Sequence, residues 1–213
     1  MRGSLLLKKS PQRLLKQKTF SMSTTIEKLS VADYLRAERA SELKHEFHEG
    51  EVAVMVAGSL RHARIITNLV NVFSDLLNEQ DADVLSQALR VRVDAADLYT
   101  YPDVIIVCGS PVLEDDHNDT LMNPTVIIEV LSPSTEAYDR GQKFGYYRQI
   151  PSLREYVLVA QHQPSIDHFL RKENEDWVIR NGCERIDQVL TLETLKLQVP
   201  LSRIYHKIDF QQR

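Results

Sequence analysis

Two cysteines among 213 residues, Cys108 and Cys183, are too few for a disulfide framework, and a reducing, cytoplasmic setting is expected. Cys108 ends an apolar run and is expected to be a buried free thiol. No apolar run reaches the length needed to cross a membrane, so no membrane partner is expected. Only seven glycines are present, scattered so that no G-x-G or GK[ST] phosphate loop occurs. The sequence has no C-x-x-C metal or redox motif and no G-x-S-x-G nucleophile elbow. His45 and His48 stand three apart in a strand-like stretch, which puts them on opposite faces and argues against zinc. These absences exclude dinucleotide binding, P-loop phosphoryl transfer, serine hydrolysis of the α/β-hydrolase kind and a structural zinc module.

Acidic residues are missing from the first 21 positions, which hold Arg2, Lys8, Lys9, Arg13, Lys16 and Lys18. Residues 1–21 are expected to be a disordered basic extension, and residues 22–213 a single domain; the whole chain is 43% hydrophobic. That domain holds all 30 acids and 20 of the 26 Lys and Arg, a formal charge of −10. A protein that coats nucleic acid passively is basic, because phosphate contacts supply its affinity. A nucleic-acid substrate must therefore be engaged here locally, or with help from a metal ion.

Along the chain, Val31 to Ala40 reads as a short helix with Ser30 as its N-cap. His45 to Ala57 reads as a hairpin turning at Gly50. Ser59 to Glu79 carries the longest apolar stripe, from Leu60 and Ala63 through Ile66, Leu69, Val70 and Phe73 to Leu77, with His62 on its flank. Val84 to Val93 reads as one alternating strand, Asp94 to Thr100 as a polar turn, Asp103 to Val107 as a buried strand, and Cys108 to Asn123 as a long solvated acidic loop. Asp139 to Gln149 reads as a helix opened by a capping box of Asp139 and Gln142. Strands follow at Arg154 to Ala160, Pro164 to Arg171 and Trp177 to Arg180. The expected architecture is α/β: a mixed central sheet flanked by helices, with additional antiparallel hairpins.

The chemistry centres on Val126 to Leu131, an apolar run interrupted by Glu129. An ionised carboxylate in a strand buried on both faces is costly unless paired or bound to metal. Asp103 opens the preceding buried strand, and neighbouring strands could set the two acids side by side. Two carboxylates, a backbone carbonyl and waters form an oxygen-rich site that selects Mg²⁺ or Mn²⁺ over zinc. Lys143, in the following helix, is the candidate to orient a water or stabilise a negative transition state. The competing reading makes Lys143 an exposed i,i+4 partner of Asp139.

Six segments in order carry a resemblance: Glu46-Phe-His-Glu-Gly50, Ser59-Leu-Arg-His62, Pro102-Asp103-Val-Ile-Ile-Val, Ile128-Glu-Val-Leu-Ser-Pro-Ser-Thr135, Asp139-x-x-x-Lys143-x-x-x-Tyr147 and Glu155-Tyr156. Together they resemble the Uma-type endonucleases of cyanobacteria, within the PD-(D/E)xK, restriction-endonuclease-like superfamily. The resemblance runs from about Val31 to Pro200. It implies a restriction-endonuclease-like fold and a metal-dependent endonuclease hydrolysing DNA phosphodiester bonds. Asp103, Glu129 and the Val130 carbonyl would hold Mg²⁺ or Mn²⁺, Glu46 would reach the metal through water, and Lys143 would be catalytic. His62 and Arg90 would contact substrate, DNA would be the partner, and a homodimer would form. The chain departs from the superfamily pattern at Leu131, where a lysine stands two residues after the acid; the resemblance requires that lysine to have moved to position 143. The alternatives are a catalytically weak or inactive nuclease-fold module that binds nucleic acid or protein, and a hydrolase of another phosphoester.

Overall fold

The computed structural model describes residues 28–55 and 58–211. The expected basic extension, 1–21, lies outside the described residues. The chain divides into two compact units at Met55–Val56.

In the first unit, helix α1 (Val31–Arg39) begins at Ser30, whose hydroxyl accepts a hydrogen bond from the Asp33 amide, as an N-cap should. Strands β1 (His45–His48) and β2 (Glu51–Val54) form the expected hairpin, with Phe47 opposite Val52. Glu49 and Gly50 both have positive φ, 47° and 88°, as a two-residue primed turn demands. The Tyr34 and Phe47 rings stack 4.9 Å apart, and the Tyr34 hydroxyl donates to the His45 carbonyl. His45 is buried against Glu38, which accepts from both its amide and its ring.

The second unit starts with α2 (Leu60–Leu77), capped by Ser59. Then come β3 (Ala82–Ser86), β4 (Arg90–Val93), β5 (Leu98–Thr100), β6 (Val104–Cys108), β7 (Thr120–Leu121) and β8 (Val126–Leu131). A continuous helical segment, 136–147, follows: α3 (Glu136–Tyr138), a π-helical turn (Asp139–Lys143) and α4 (Phe144–Tyr147). The unit ends with β9 (Glu155–Ala160), β10 (Ile166–Arg171), β11 (Trp177–Cys183), β12 (Val189–Leu192), β13 (Leu197–Pro200) and α5 (Leu201–Ile204).

A six-stranded sheet runs β11-β10-β9-β8-β6-β3. Its pairs are antiparallel except β8–β9, which is parallel. A parallel pair of successive strands needs a long crossover, and the 136–147 helical segment is part of it. β4 pairs with β5 and β7, and β12 pairs with β13. The sheet is mixed, flanked by helices and extended by antiparallel hairpins, as expected.

Both faces of the sheet are covered, so its central strands need no polar side. β8 and β9 are buried at every residue. One face packs Ile128, Val130, Val157 and Val159 against Ile65, Leu69 and Phe73 of α2. The other packs Ile105, Ile127, Leu131 and Leu158 with Tyr147 and Tyr156. By the two-residue alternation of β8, Glu129 belongs to this second face.

Several expectations are corrected. The strand expected over Val84 to Val93 is two, β3 and β4, split by a turn in which the Leu89 amide bonds the Ser86 carbonyl. Polar Gln87 fits an alternating pattern, so periodicity reads through the turn. The polar turn expected at Asp94 to Thr100 is a short 3-10 turn, Asp94–Ala96, followed by the buried strand β5. Cys108 is exposed, because it stands at the end of β6. The 108–123 stretch contains β7, and Glu114 is not merely solvated: it accepts from the Tyr99 hydroxyl at 2.6 Å and pairs with Arg92. Asp139 caps no helix; helical structure already begins at Glu136, and Asp139 is buried within the π turn.

Candidate active site

The β6–β8 ladder pairs Val104 with Ile128. Extending that antiparallel register by one residue sets Asp103 opposite Glu129. Two crossed hydrogen bonds tie the acids: the Asp103 amide donates to Glu129 Oε2 (3.2 Å), and the Val130 amide donates to Asp103 Oδ2 (2.8 Å). A carboxylate that caps the end of its neighbour's strand replaces ladder bonds and holds its own oxygens in a fixed place.

The helical segment supplies the counter-charge. Lys143 turns inward, its Nζ 2.9 Å from Glu129 Oε1 and 3.6 Å from Asp139 Oδ1. The Tyr147 hydroxyl donates to the same Glu129 oxygen at 2.8 Å. Asp139, Lys143 and Tyr147 recur every four residues, a spacing that keeps them on one side of a helix. The Tyr156 hydroxyl donates to the Asp139 carbonyl and so pins the π turn to β9. Single π turns insert where a helix must re-aim a side chain.

His62 and Gln87 complete the surroundings of Asp103. His62, on the first turn of α2, places Nε2 3.2 Å from Asp103 Oδ2, and Gln87 donates to Oδ1 at 3.1 Å. Gly58 leaves room for the imidazole: a Cβ there would meet His62 Nδ1 at 2.5 Å.

The electrostatics are unbalanced. Asp103, Glu129 and Asp139 are 8%, 4% and 3% exposed, so three acids share a dry region with one ammonium and one imidazole. Burial is the main reason the Glu129 carboxyl is pushed up, to about 8; Lys143 opposes the rise and the neighbouring Asp103 and Asp139 add to it. For His62, burial pulls the imidazole down, but the hydrogen bond and charge of Asp103 outweigh it and leave the ring above its ordinary value. Buried negative charge beside one raised carboxyl is a feature that functional sites share with structural ion-pair networks. Among the described residues, no three His, Cys, Asp or Glu side chains stand together as a ready metal cluster. A hard ion here would draw on two carboxylates, main-chain oxygen and water.

Glu46 lies on β1, half-buried and opposite Ala53. Arg90 is buried on β4 with its guanidinium engaged: Nη2 lies 2.6 Å from Asp119, and Nε donates to the Thr120 hydroxyl. Tyr147 and Gln87 went unrecognised as site residues in the sequence. For Tyr147 the signal is its four-residue spacing from Lys143; for Gln87 there is none, because the alternation of Val84 to Val93 runs through its turn.

Fold and site together define the class, a restriction-endonuclease-like α/β protein. A crystal structure described as a putative nuclease belonging to DUF820, from Anabaena variabilis ATCC 29413, superposes with a TM-score of 0.67, covering 83% of this chain and 97% of its own at 15% identity. The chain belongs to the Uma2 family, described as "Putative restriction endonuclease", whose model matches residues 31–202. Two relatives from Synechocystis sp. (strain PCC 6803) carry no functional description. Uncharacterized protein slr1290 is 33% identical over 192 residues, covering 89% of this chain and 98% of its own length. Uncharacterized protein sll1609 is 31% identical over 151 residues, covering 71% and 85%.

Proposed function

We propose that this protein is a Mg²⁺- or Mn²⁺-dependent endonuclease that hydrolyses DNA phosphodiester bonds, with residues 22–213 acting as one catalytic domain in the cytoplasm and as a homodimer. The observation that carries the reading is the convergence of Asp103, Glu129 and Lys143, three residues from separate elements joined by bonds of 3.2 Å or less. The surplus of buried carboxylate fits a hard cation held by Asp103, Glu129 and the Val130 carbonyl. Such an ion, when bound, lowers the pKa of a water and neutralises charge on the attacked phosphate.

The chain's own groups do the rest. Lys143 Nζ, released from part of its contact with Glu129, would orient the attacking water and stabilise the developing negative charge. Tyr147 and the Asp103 amide hold the Glu129 carboxylate by both oxygens, so its orientation costs little on binding. Gln87 and His62 hold Asp103 in the same way, and His62, with its ring favoured toward the charged form, can also meet a phosphate oxygen. Arg90 enters the reading as a substrate contact only if its pair with Asp119 opens.

The test is nicking of supercoiled plasmid with Mn²⁺. Wild type should nick, and Asp103→Ala and Lys143→Ala should lose at least 100-fold of the rate, in line with removal of a group that stabilises developing charge. Equal activity in all three proteins would refute the assignment. A second reading, a nuclease fold that binds without cutting, is favoured by one observation: Lys143 is already satisfied by Glu129 and Asp139. Titration calorimetry with Mn²⁺ separates the two, since the binding module predicts no heat at millimolar metal.

A further inference from the structure

A domain carrying ten net negative charges repels a polyanion, so any nucleic-acid backbone must approach where the local charge is reversed. The described residues offer such a place on α2, the helix that also carries His62. Arg61 and Arg64 stand three apart on α2, on one side of the helix with Asn68. Segment 204–209 is laid along that side. Arg61 donates to the Asp209 carbonyl (2.9 Å), Arg64 to the Lys207 carbonyl (3.3 Å), and Asn68 to the carbonyls of Ile204 and His206 (2.9 Å each). Lys207 is held at a φ of 57°, a left-handed conformation uncommon outside glycine, so the chain here is fixed in an unfavourable shape by its neighbours.

The result gathers Arg61, Arg64 and Lys207 with His206 on one surface; Arg64, Lys207 and His206 are exposed. Nearby Arg203 is neutralised by Asp75 at 2.8 Å, whereas neither Arg64 nor Lys207 has a carboxylate partner among the described residues. Arg64 spends one N–H on a carbonyl and keeps the rest of its donor fork for other acceptors. The same helix carries His62, whose ring contacts Asp103.

We propose that Arg64 and Lys207, flanked by Arg61, form a track that holds the phosphate backbone of duplex DNA. The proposal rests on the endonuclease reading for the identity of the strand. Its sequence-independent contacts would position DNA, not read its bases.

The test is fluorescence anisotropy of a labelled 20-base-pair duplex with the full chain in EDTA, across a salt series, run beside plasmid nicking with Mn²⁺. Arg64→Gln/Lys207→Gln should lower the slope of log affinity against log salt by about 1.8, which at 0.1 M salt is a loss on the order of 60-fold. Lys172→Gln/Lys196→Gln removes two exposed charges of the same sign elsewhere and should bind like wild type. Circular dichroism melts establish that each variant is folded. Equal binding by wild type and Arg64→Gln/Lys207→Gln, equal losses in both double variants, or no binding by wild type would each overturn the track. A track-dependent affinity in a protein that does not nick would support the track and remove the endonuclease reading; nicking without track-dependent binding would do the reverse.

Discussion

Replacing Glu129 by glutamine should make metal-free protein more stable relative to wild type as pH rises. The Glu129 carboxyl is pushed from its ordinary 4.5 to about 8 in the folded chain, chiefly by burial. Between those values the folded state holds a proton that the unfolded state has lost. The contribution of Glu129 to wild-type stability is therefore fully present below pH 4.5 and is lost as pH climbs through 8. Each pH unit in that window is worth up to about 1.4 kcal/mol, and between pH 5 and pH 8 the loss integrates to about 3 kcal/mol. Glutamine cannot ionise, so the variant escapes this loss. It keeps the side-chain shape and an amide oxygen for the Tyr147 hydroxyl, and Lys143 retains Asp139 at 3.6 Å. The lost ion pair with Lys143 subtracts from stability, so the prediction concerns the pH dependence of the difference and not its absolute value. The assay is urea unfolding in EDTA at pH 5, 6.5 and 8. It can be followed by Trp177, the sole tryptophan, which packs edge-on against Phe144 at 5.3 Å. The difference in unfolding free energy should move toward the variant by about 3 kcal/mol over that range. A difference that stays constant, or moves toward wild type, would refute the reading of Glu129 as a buried acid under strain from its neighbours. Adding Mn²⁺ at pH 8 should move the difference back toward wild type, since a ligand at 100 times its Kd stabilises wild type by about 2.7 kcal/mol and the variant lacks one of its ligands.

Two further outcomes are expected. Tyr147→Phe keeps the packed ring but removes the hydroxyl that donates to Glu129, so unfolding free energy should fall by about 2 kcal/mol, and plasmid nicking should slow with it; an unchanged melt and rate would show that the bond carries nothing. Gly50→Ala puts a Cβ 2.5 Å from the Lys28 Cβ at a backbone φ of 88°, so Tm should drop by about 4–8 °C for a cost of about 2 kcal/mol, read by thermal melting.

The sequence alone was enough for the elements whose pattern is local. The Ser30 and Ser59 caps, the turn at Gly50 and the stripe of α2 are written within a few neighbouring residues. The continuous apolar run of β8 marks a strand covered on both faces, and an acid within it marks a place where stability is given up. The elements that failed are those whose pattern is shared by two structures: alternation ran on through the turn at Gln87, and Asp139 with Gln142 mimicked a cap. The segment 189–204, with β12, β13 and α5, carries a strand-like alternation at Leu190–Leu192 and Leu195–Val199 that no expectation covered.

What the sequence could not fix was the direction in which Lys143 points. The same four-residue spacing serves an exposed pair with Asp139 or an inward reach to Glu129, and local energetics favour neither by more than a few tenths of a kcal/mol. Tertiary structure decides it. The β8–β9 parallel pair needs a crossover, the 136–147 helical segment in that crossover packs on the Glu129 face, and the π turn carries both Asp139 and Lys143 into the interior. Once there, a buried ammonium has nowhere to go but a carboxylate, because the dry face offers no water to replace it.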